Sequence, residues 1–225
     1  MKTCIAFLLL FPMTIHAQQP LSLDEARPIV EQLQRGMSTL QTVNLEFVQE
    51  RHLSLFTEPL RSEGVMFIEK PDRIRWETTS PYQSILLGDH KSVAQFEWTN
   101  GSWKKLHLGF PQMLKRVMEQ MTLLHQGKLD ALTSDYTVSV QTGSVAAIVL
   151  TPKDANVRSM LESIEMRMDP DFKAVREILM KQPGGDFTSI VIQNEQRNMT
   201  FPVGTFDQNK PLNLATVEAA LRHAP

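Results

Sequence analysis

A long series of short segments in which apolar and polar residues alternate constrains the fold more than any other feature of this chain. Ile74 and Trp76, for example, alternate with charged neighbours, so a strand there has one apolar and one polar face. Such segments recur at intervals of about 8–12 residues, with turn signals between them such as Asn100-Gly101. About eleven strands are predicted, within 43–47, 65–67, 74–76, 83–87, 92–98, 103–108, 136–141, 145–151, 164–168, 174–181 and 189–195. The pattern predicts one long antiparallel meander.

Two segments have the 3.6-residue period of an amphipathic helix. The first covers 22–40, with Ser22 as a possible cap, and Pro28 in its early turns favours a later start. The second covers 111–126. Because no linker, internal repeat or low-complexity tract interrupts the chain, we expect a single domain over 18–225. We expect this domain to be mainly β with α, a strongly curved sheet or incomplete antiparallel β-barrel closed by a helical lid.

The first seventeen residues are typical of a secretory signal peptide. A basic start is followed by the apolar run Ile5–Phe11 and by a small residue at the expected cut. A membrane anchor is the weaker interpretation, since Pro12 and His16 interrupt the apolar run. We therefore expect residues 1–17 to be removed and 18–225 to be exported, which in a Gram-negative host places the protein in the periplasm.

Charge and cysteine content narrow the classes of partner. The chain has 23 basic and 25 acidic residues, and this balance argues against a nucleic-acid binder, which needs a basic face. Its single cysteine, Cys4, lies inside the expected signal peptide. The mature chain thus has no thiol for disulfide, redox or metal chemistry.

The sequence lacks the common motifs of catalytic and metal-binding sites. It contains no G-x-S-x-G, no P-loop and no H-E-x-x-H. The five mature histidines lack metal-ligand spacing: His52, His90, His107, His125 and His223. Asp169 and Asp171 fit a turn between strands better than a calcium loop. We expect no enzyme activity, no cofactor and no metal, although catalytic groups from distant strands could still meet in space.

Large apolar side chains on the strand faces, and methionines in the second helix, could line a cavity. The candidates are Phe47, Phe67, Ile74, Trp76, Leu86, Met113, Met118 and Met121. Apolar stripes of this kind usually form an ordinary core. Methionine favours the cavity interpretation, because its flexible thioether suits surfaces that adapt to varied apolar ligands.

Several sequence blocks occur in an order that matches a known family. They are V-N-L-E-F-V-Q (43–49), G-V-M-F-I-E-K-P (64–71), I-R-W (74–76), S-P (80–81), S-I-L-L-G-D (84–89), L-T-P-K (150–153) and a closing strand over 186–198 that leads to Phe206. In these blocks the chain resembles the outer-membrane lipoprotein carrier family, LolA. The resemblance implies an incomplete β-barrel of about eleven strands under a helical lid, here residues 110–126.

The resemblance also implies a function and partners. A soluble, monomeric periplasmic carrier is expected to take an acylated lipoprotein from an inner-membrane ABC-type release complex and pass it to an outer-membrane acceptor. By the same resemblance Phe67, Ile74, Trp76 and Leu86 line the cavity. Where studied carriers have an arginine that holds the lid shut, this chain has Lys70, which predicts a weaker or differently built latch.

Other functions on the same fold stay open at this point. Related proteins handle other lipids, and a non-transport periplasmic sensor or interaction module is the alternative. The cargo, the individual partners and the role of residues 207–225 do not follow from the sequence.

Overall fold

The computed structural model describes residues 20–107, 122–123, 126, 128–142, 146–169 and 173–222. The helices are α1 (Arg27–Ser38), α2 (Leu129–Leu132), α3 (Ala155–Arg158) and α4 (Leu214–Arg222). The strands are β1 (Leu21–Ser22), β2 (Thr42–His52), β3 (Leu60–Glu69), β4 (Arg73–Ser80), β5 (Ser84–Gly88), β6 (Val93–Thr99), β7 (Ser102–Lys105), β8 (Tyr136–Gln141), β9 (Ala147–Pro152), β10 (Ser163–Met168), β11 (Val175–Lys181) and β12 (Phe187–Arg197). The eleven predicted strands correspond to β2–β12.

All twelve strands belong to one sheet. Its order is β1-β8-β9-β10-β11-β12-β2-β3-β4-β5-β6-β7, and every pair is antiparallel. Within the described residues the outermost strands, β1 and β7, do not pair with each other, so the sheet stays open. The prediction of a mainly antiparallel, incomplete β fold with few helices is confirmed. Most of the predicted lid lies in 108–121, outside the described residues, and so does the expected signal peptide.

Helix α1 begins later than Ser22. Its first residue is Arg27, after a non-helical Ala26, and Pro28 lies in its first turn. Proline fits that position because its ring presets the helical φ and the missing N–H has no partner in a first turn. Ser22 instead pairs with Ser139 of β8, and its hydroxyl donates to the Glu25 carboxylate and accepts from the Glu25 backbone N–H.

The two faces of the sheet are covered by different parts of the chain. One face, here called the helix-side face, carries Leu45, Ile74 and Met166 and is covered by the buried side of α1 and by α2. On the opposite face, β5–β7 carry a second apolar cluster, built on Ile85, Leu87, Ala94 and Phe96 with Trp103 against it. Since side chains alternate along each strand, the two clusters share strands without sharing a face.

Residues 199–222, here called the C-terminal segment, lie against the opposite face. The guanidinium of Arg75 is fully buried there, and its Nη1 and Nη2 donate to the carbonyl oxygens of Thr205 and Leu212 at 3.0 and 2.6 Å. Its Nε donates to the buried Glu77 carboxylate at 2.9 Å. Trp103 Nε1 donates to Asn213 at 2.8 Å. Burial raises the pKa of Glu77, although the neighbouring Arg75 favours its charged form.

Arg75→Met tests whether this buried ion pair holds the C-terminal segment. The change leaves Glu77 buried without its partner and frees two carbonyl groups, so we expect unfolding to become easier by about 3–5 kcal/mol in urea titrations. Arg61→Met is the matched control, because Arg61 of β3 makes only exposed ion pairs, with Glu50 and Glu63, and its loss should leave the free energy of unfolding nearly unchanged. Equal losses in both variants would contradict the assignment.

Gly64 of β3 makes room for an aromatic ring on the helix-side face. A Cβ at this position would lie 2.6 Å from the Phe47 ring and 2.0 Å from the backbone oxygen of Glu77. Since the second contact is with backbone, no side-chain rotation can relieve it. Any larger residue must therefore displace either the ring or the β3–β4 bulge.

Gly64→Ala is therefore expected to lower the free energy of unfolding by about 3 kcal/mol, at the upper end of what overpacking costs. The control is Gly36→Ala in α1, where a Cβ meets nothing within 4 Å. It should raise stability by about 1 kcal/mol through helix propensity. Denaturant titration of both variants measures the difference, and a neutral Gly64→Ala would show that the strand shifts freely.

Candidate functional site

An apolar cavity of about 110 Å³ lies between the helices and the middle of the sheet. Its lining comes from α1, α2 and strands β2, β3 and β9–β12, together with two connecting segments. The lining residues are Leu33, Met37, Leu40, Val43, Leu45, Met66, Ile68, Leu129, Ile148, Met166, Met168, Ala174, Val175, Ile178, Ile190, Ile192 and Glu195. Sixteen of these seventeen are apolar, so the cavity offers water almost no hydrogen-bonding partner.

The size of the cavity sets what it can hold in this conformation. An engineered apolar cavity of about 150 Å³ in another protein stays dry and takes up one benzene molecule. A space of about 110 Å³ is therefore too small for a long acyl chain. Any such ligand has to widen it, and among the described residues the walls that are not strands of the sheet are α1, α2 and the connecting segments.

Four methionines line the cavity: Met37, Met66, Met166 and Met168. Met37 comes from α1, and the others come from β3 and β10. These residues were missed as site candidates on sequence reasoning, although Met166 and Met168 alternate in a predicted strand and Met37 lies on the apolar stripe of the first helix. Their unbranched thioether chains can change shape more easily than β-branched residues can.

Four predicted site residues lie on the helix-side face, next to the cavity lining. Phe47 and Ile74 belong to the buried core cluster, and Trp76 and Leu86 pack against it. The Phe47 and Trp76 ring centroids are 4.9 Å apart with a tilt of 55°. None of the four is among the residues that line the cavity. They form its packed flank along β4 and β5.

Phe67, which the resemblance places in the cavity, lies on the opposite face of the sheet in the structure. Its neighbours in β3, Met66 and Ile68, point to the helix side, so Phe67 points to the opposite face. There its ring packs edge-on against Phe201 of the C-terminal segment at 5.5 Å and lies beneath the Arg75 guanidinium. The predicted lid methionines Met113, Met118 and Met121 lie outside the described residues.

Lys70, the predicted latch, bonds to a helix that covers the cavity. Its Nζ donates to the backbone oxygen of Met37, in the last turn of α1, at 2.7 Å. The amide of Gln126 donates to the backbone oxygen of Pro71, the next residue in the same hairpin. Burial lowers the pKa of Lys70, and the positive charge of Lys128 lowers it further. The β3–β4 hairpin thus connects the sheet to the elements on its helix side.

Glu195 is the polar residue of the lining. Its carboxylate accepts a 2.6 Å hydrogen bond from Arg197 Nε, and the Arg197 Nη2 donates to the backbone oxygen of Lys173. Its side chain is 12% exposed, so this ion pair lies at the edge of the cavity. The charge of Glu195 is balanced locally, and the other described residues of the lining carry no charge.

Two other kinds of site were searched for among the described residues. No group of three or more histidine, cysteine, aspartate or glutamate side chains there is placed to hold a metal ion. In the same part of the chain, no helix has the length and apolarity needed to cross a membrane.

Comparison by sequence finds one family model. The model of the outer membrane lipoprotein carrier protein LolA matches residues 38–209, most of the chain. The outer-membrane lipoprotein carrier protein of Chromohalobacter salexigens is 24% identical over 138 residues, which cover 61% of this chain and 61% of that protein. The matched region thus spans about three fifths of the relative's length.

Solved structures with a similar chain path include two bacterial proteins. A LolA superfamily protein from Nitrosomonas europaea gives a TM-score of 0.45 at 10% identity, over 82% of this chain and 98% of that one. The lipoprotein LppX of Mycobacterium tuberculosis gives a TM-score of 0.40 at 7% identity, over 77% of this chain and 96% of that one. The family assignment rests on the sequence match alone.

Proposed function

The chain belongs to the LolA family of outer membrane lipoprotein carrier proteins, and from this premise we propose that it shelters the acyl chains of lipoproteins in its apolar cavity and carries them through the periplasm from the inner to the outer membrane. The single observation that supports this most directly is an unfilled, almost wholly apolar space beneath helices. A protein whose helix-side face served only as a core would have filled that space with side chains.

The energetics of acyl transfer explain why such a carrier works without catalytic groups. Burying one CH₂ is worth about 0.8 kcal/mol, so a 16-carbon chain leaves a bilayer at a cost of roughly 12 kcal/mol. A cavity that replaces the bilayer with methionine, leucine and isoleucine side chains offsets most of this cost. Such contacts lack strict geometry, so they accept chains of different length and unsaturation.

Loading has to enlarge the cavity, and the helix side is the part that can move. Helix α1 is held over the cavity by apolar contacts and by the hydrogen bond from Lys70 to Met37. One such bond contributes on the order of 1–3 kcal/mol, which an entering acyl chain can outweigh. Lys70 then acts as a latch on α1, and its single ammonium holds α1 less rigidly than the fork of an arginine would.

The partners follow from the proposed route and not from a feature of the described surface. A carrier of this kind needs an inner-membrane ABC-type complex that loads it and an outer-membrane acceptor that unloads it. We propose that it travels between them as a monomer, since one chain contains the whole cavity.

Ala174→Leu tests the function by filling the cavity. Ala174 lines the cavity and is 2% exposed, so a larger side chain there occupies the space that an acyl chain would enter. We expect the midpoint of thermal unfolding to stay the same or rise, while transfer of a fluorescent triacylated lipopeptide between two populations of vesicles falls at least about tenfold. Native mass spectrometry of the unaltered protein should show bound lipopeptide or lipid.

Ala94→Leu is the control for this experiment. Ala94 is equally buried but belongs to the packed cluster on the opposite face and is not among the residues that line the cavity. It should lower stability by about 1–3 kcal/mol and leave transfer intact at a temperature where the variant is folded. If the unaltered protein binds no acylated ligand, or forms a stable complex with a protein partner without moving lipid between vesicles, the carrier proposal is wrong and a sensor is favoured.

A further inference from the structure

Two lysines lie next to residues that line one end of the cavity. Lys70 follows Ile68 at the end of β3, and Lys128 directly precedes Leu129 of α2; both Ile68 and Leu129 are lining residues. Gln126, two residues before Lys128, lies against the β3–β4 hairpin, since its amide donates to the backbone oxygen of Pro71. Two ammonium groups therefore lie on neighbouring segments beside an apolar space.

Neither ammonium group is neutralised by a carboxylate among the described residues. Lys70 has a backbone carbonyl as its partner, and Lys128 has no ion pair there. Other charged residues near this end do have partners: Glu69 pairs with Arg73, Glu195 pairs with Arg197, and His90 contacts Asp72. The partial negative charge at the end of α1 offsets only part of the Lys70 charge.

The two positive charges affect one another. Burial lowers the pKa of Lys70, and repulsion from Lys128 lowers it further. Among the described residues no acidic side chain balances the two ammonium groups, so positive charge is in excess at this end of the cavity. A bound anion would remove that imbalance, and a ligand with both an anion and acyl chains would fill the apolar space as well.

We propose that the cavity also takes glycerophospholipids, with the acyl chains among the methionines and the anionic phosphate between Lys70 and Lys128. This inference rests on the proposed acyl-chain function and adds a second class of ligand to it. An ammonium group has three donors, so Lys70 can keep its bond to Met37 and still donate to a phosphate oxygen. Lys128, which is exposed, can turn towards the phosphate without breaking a contact in the described structure.

Lipids that differ only at the polar end provide the test. Dioleoyl phosphatidylglycerol and dioleoylglycerol compete with a fluorescent diacylglycerol for the purified protein. We expect the anionic lipid to displace the probe at an about tenfold lower concentration, which is what one charge-assisted hydrogen bond supplies. Lys70→Gln and Lys128→Gln should each reduce this preference to about threefold or less, and Lys128→Gln should bind dioleoylglycerol as the unaltered protein does.

Lys104→Gln is the matched control, since it removes the same charge from β7, a strand that contributes nothing to the cavity lining. It should keep the full preference for the anionic lipid. If the Lys70→Gln protein unfolds because it has lost the bond to Met37, the result for Lys128→Gln alone decides the test. Melting curves with inorganic phosphate alone separate a headgroup site from a site for free phosphate.

Each outcome bears on one proposal. If both lipids bind equally and the lysine variants change nothing, the phosphate site is wrong while the acyl-chain function stands. If neither lipid nor a triacylated lipopeptide binds, the proposed function itself fails. If inorganic phosphate alone stabilises the unaltered protein as strongly as phosphatidylglycerol does, and this effect is lost in Lys128→Gln, the site binds free phosphate and the headgroup assignment is overturned.

Discussion

The apolar helix-side face of an open sheet is the constraint on which the rest of the molecule depends. Within the described residues the sheet does not close on itself, so helices must shield that face from water. Helix α1 buries only one side, through Val30, Leu33 and Met37. A helix packed on a sheet does not fill every gap between the side chains, and the gap that remains here is the cavity. The covering that stabilises the fold therefore also creates the binding space.

The two faces of the sheet are held by interactions of different kinds. On the opposite face, Arg75 joins Glu77 and two backbone carbonyls of the C-terminal segment in one buried network with fixed directions. On the helix side, contacts are mainly apolar and non-directional, and Lys70 makes one bond to α1. Directional buried bonds oppose small displacements, whereas methionine contacts tolerate them. The expansion needed for loading is therefore easiest on the helix side, while the opposite face keeps the strands in register.

Sequence patterns predicted the strands well because period-2 alternation and turn residues are local properties. They could not assign faces in β3 and β5, since both sides of these two strands carry large apolar residues. Alternation alone therefore does not distinguish Phe67 from a cavity residue, yet the C-terminal segment covers its side of the sheet, through contacts between residues more than a hundred positions apart. The cavity itself depends on how completely side chains fill the space between α1 and β10–β12. No local pattern encodes that quantity, so Met166 and Met168 looked like ordinary strand residues.

If the cavity carries acylated ligands as proposed, discrimination between cargoes has to come from its polar end. The apolar lining gains free energy from each methylene group alike, so it cannot separate a lipoprotein anchor from another lipid with the same chains. The affinity of the lining for acyl chains must also stay close to that of a bilayer, because a much tighter site would not release them. Charged groups at the edge of the cavity can discriminate between ligands without tightening the grip on acyl chains, because an ammonium group interacts with the headgroup and not with the chains. In the proposed complex Lys70 bonds to both α1 and the headgroup, so headgroup binding changes how firmly α1 is held.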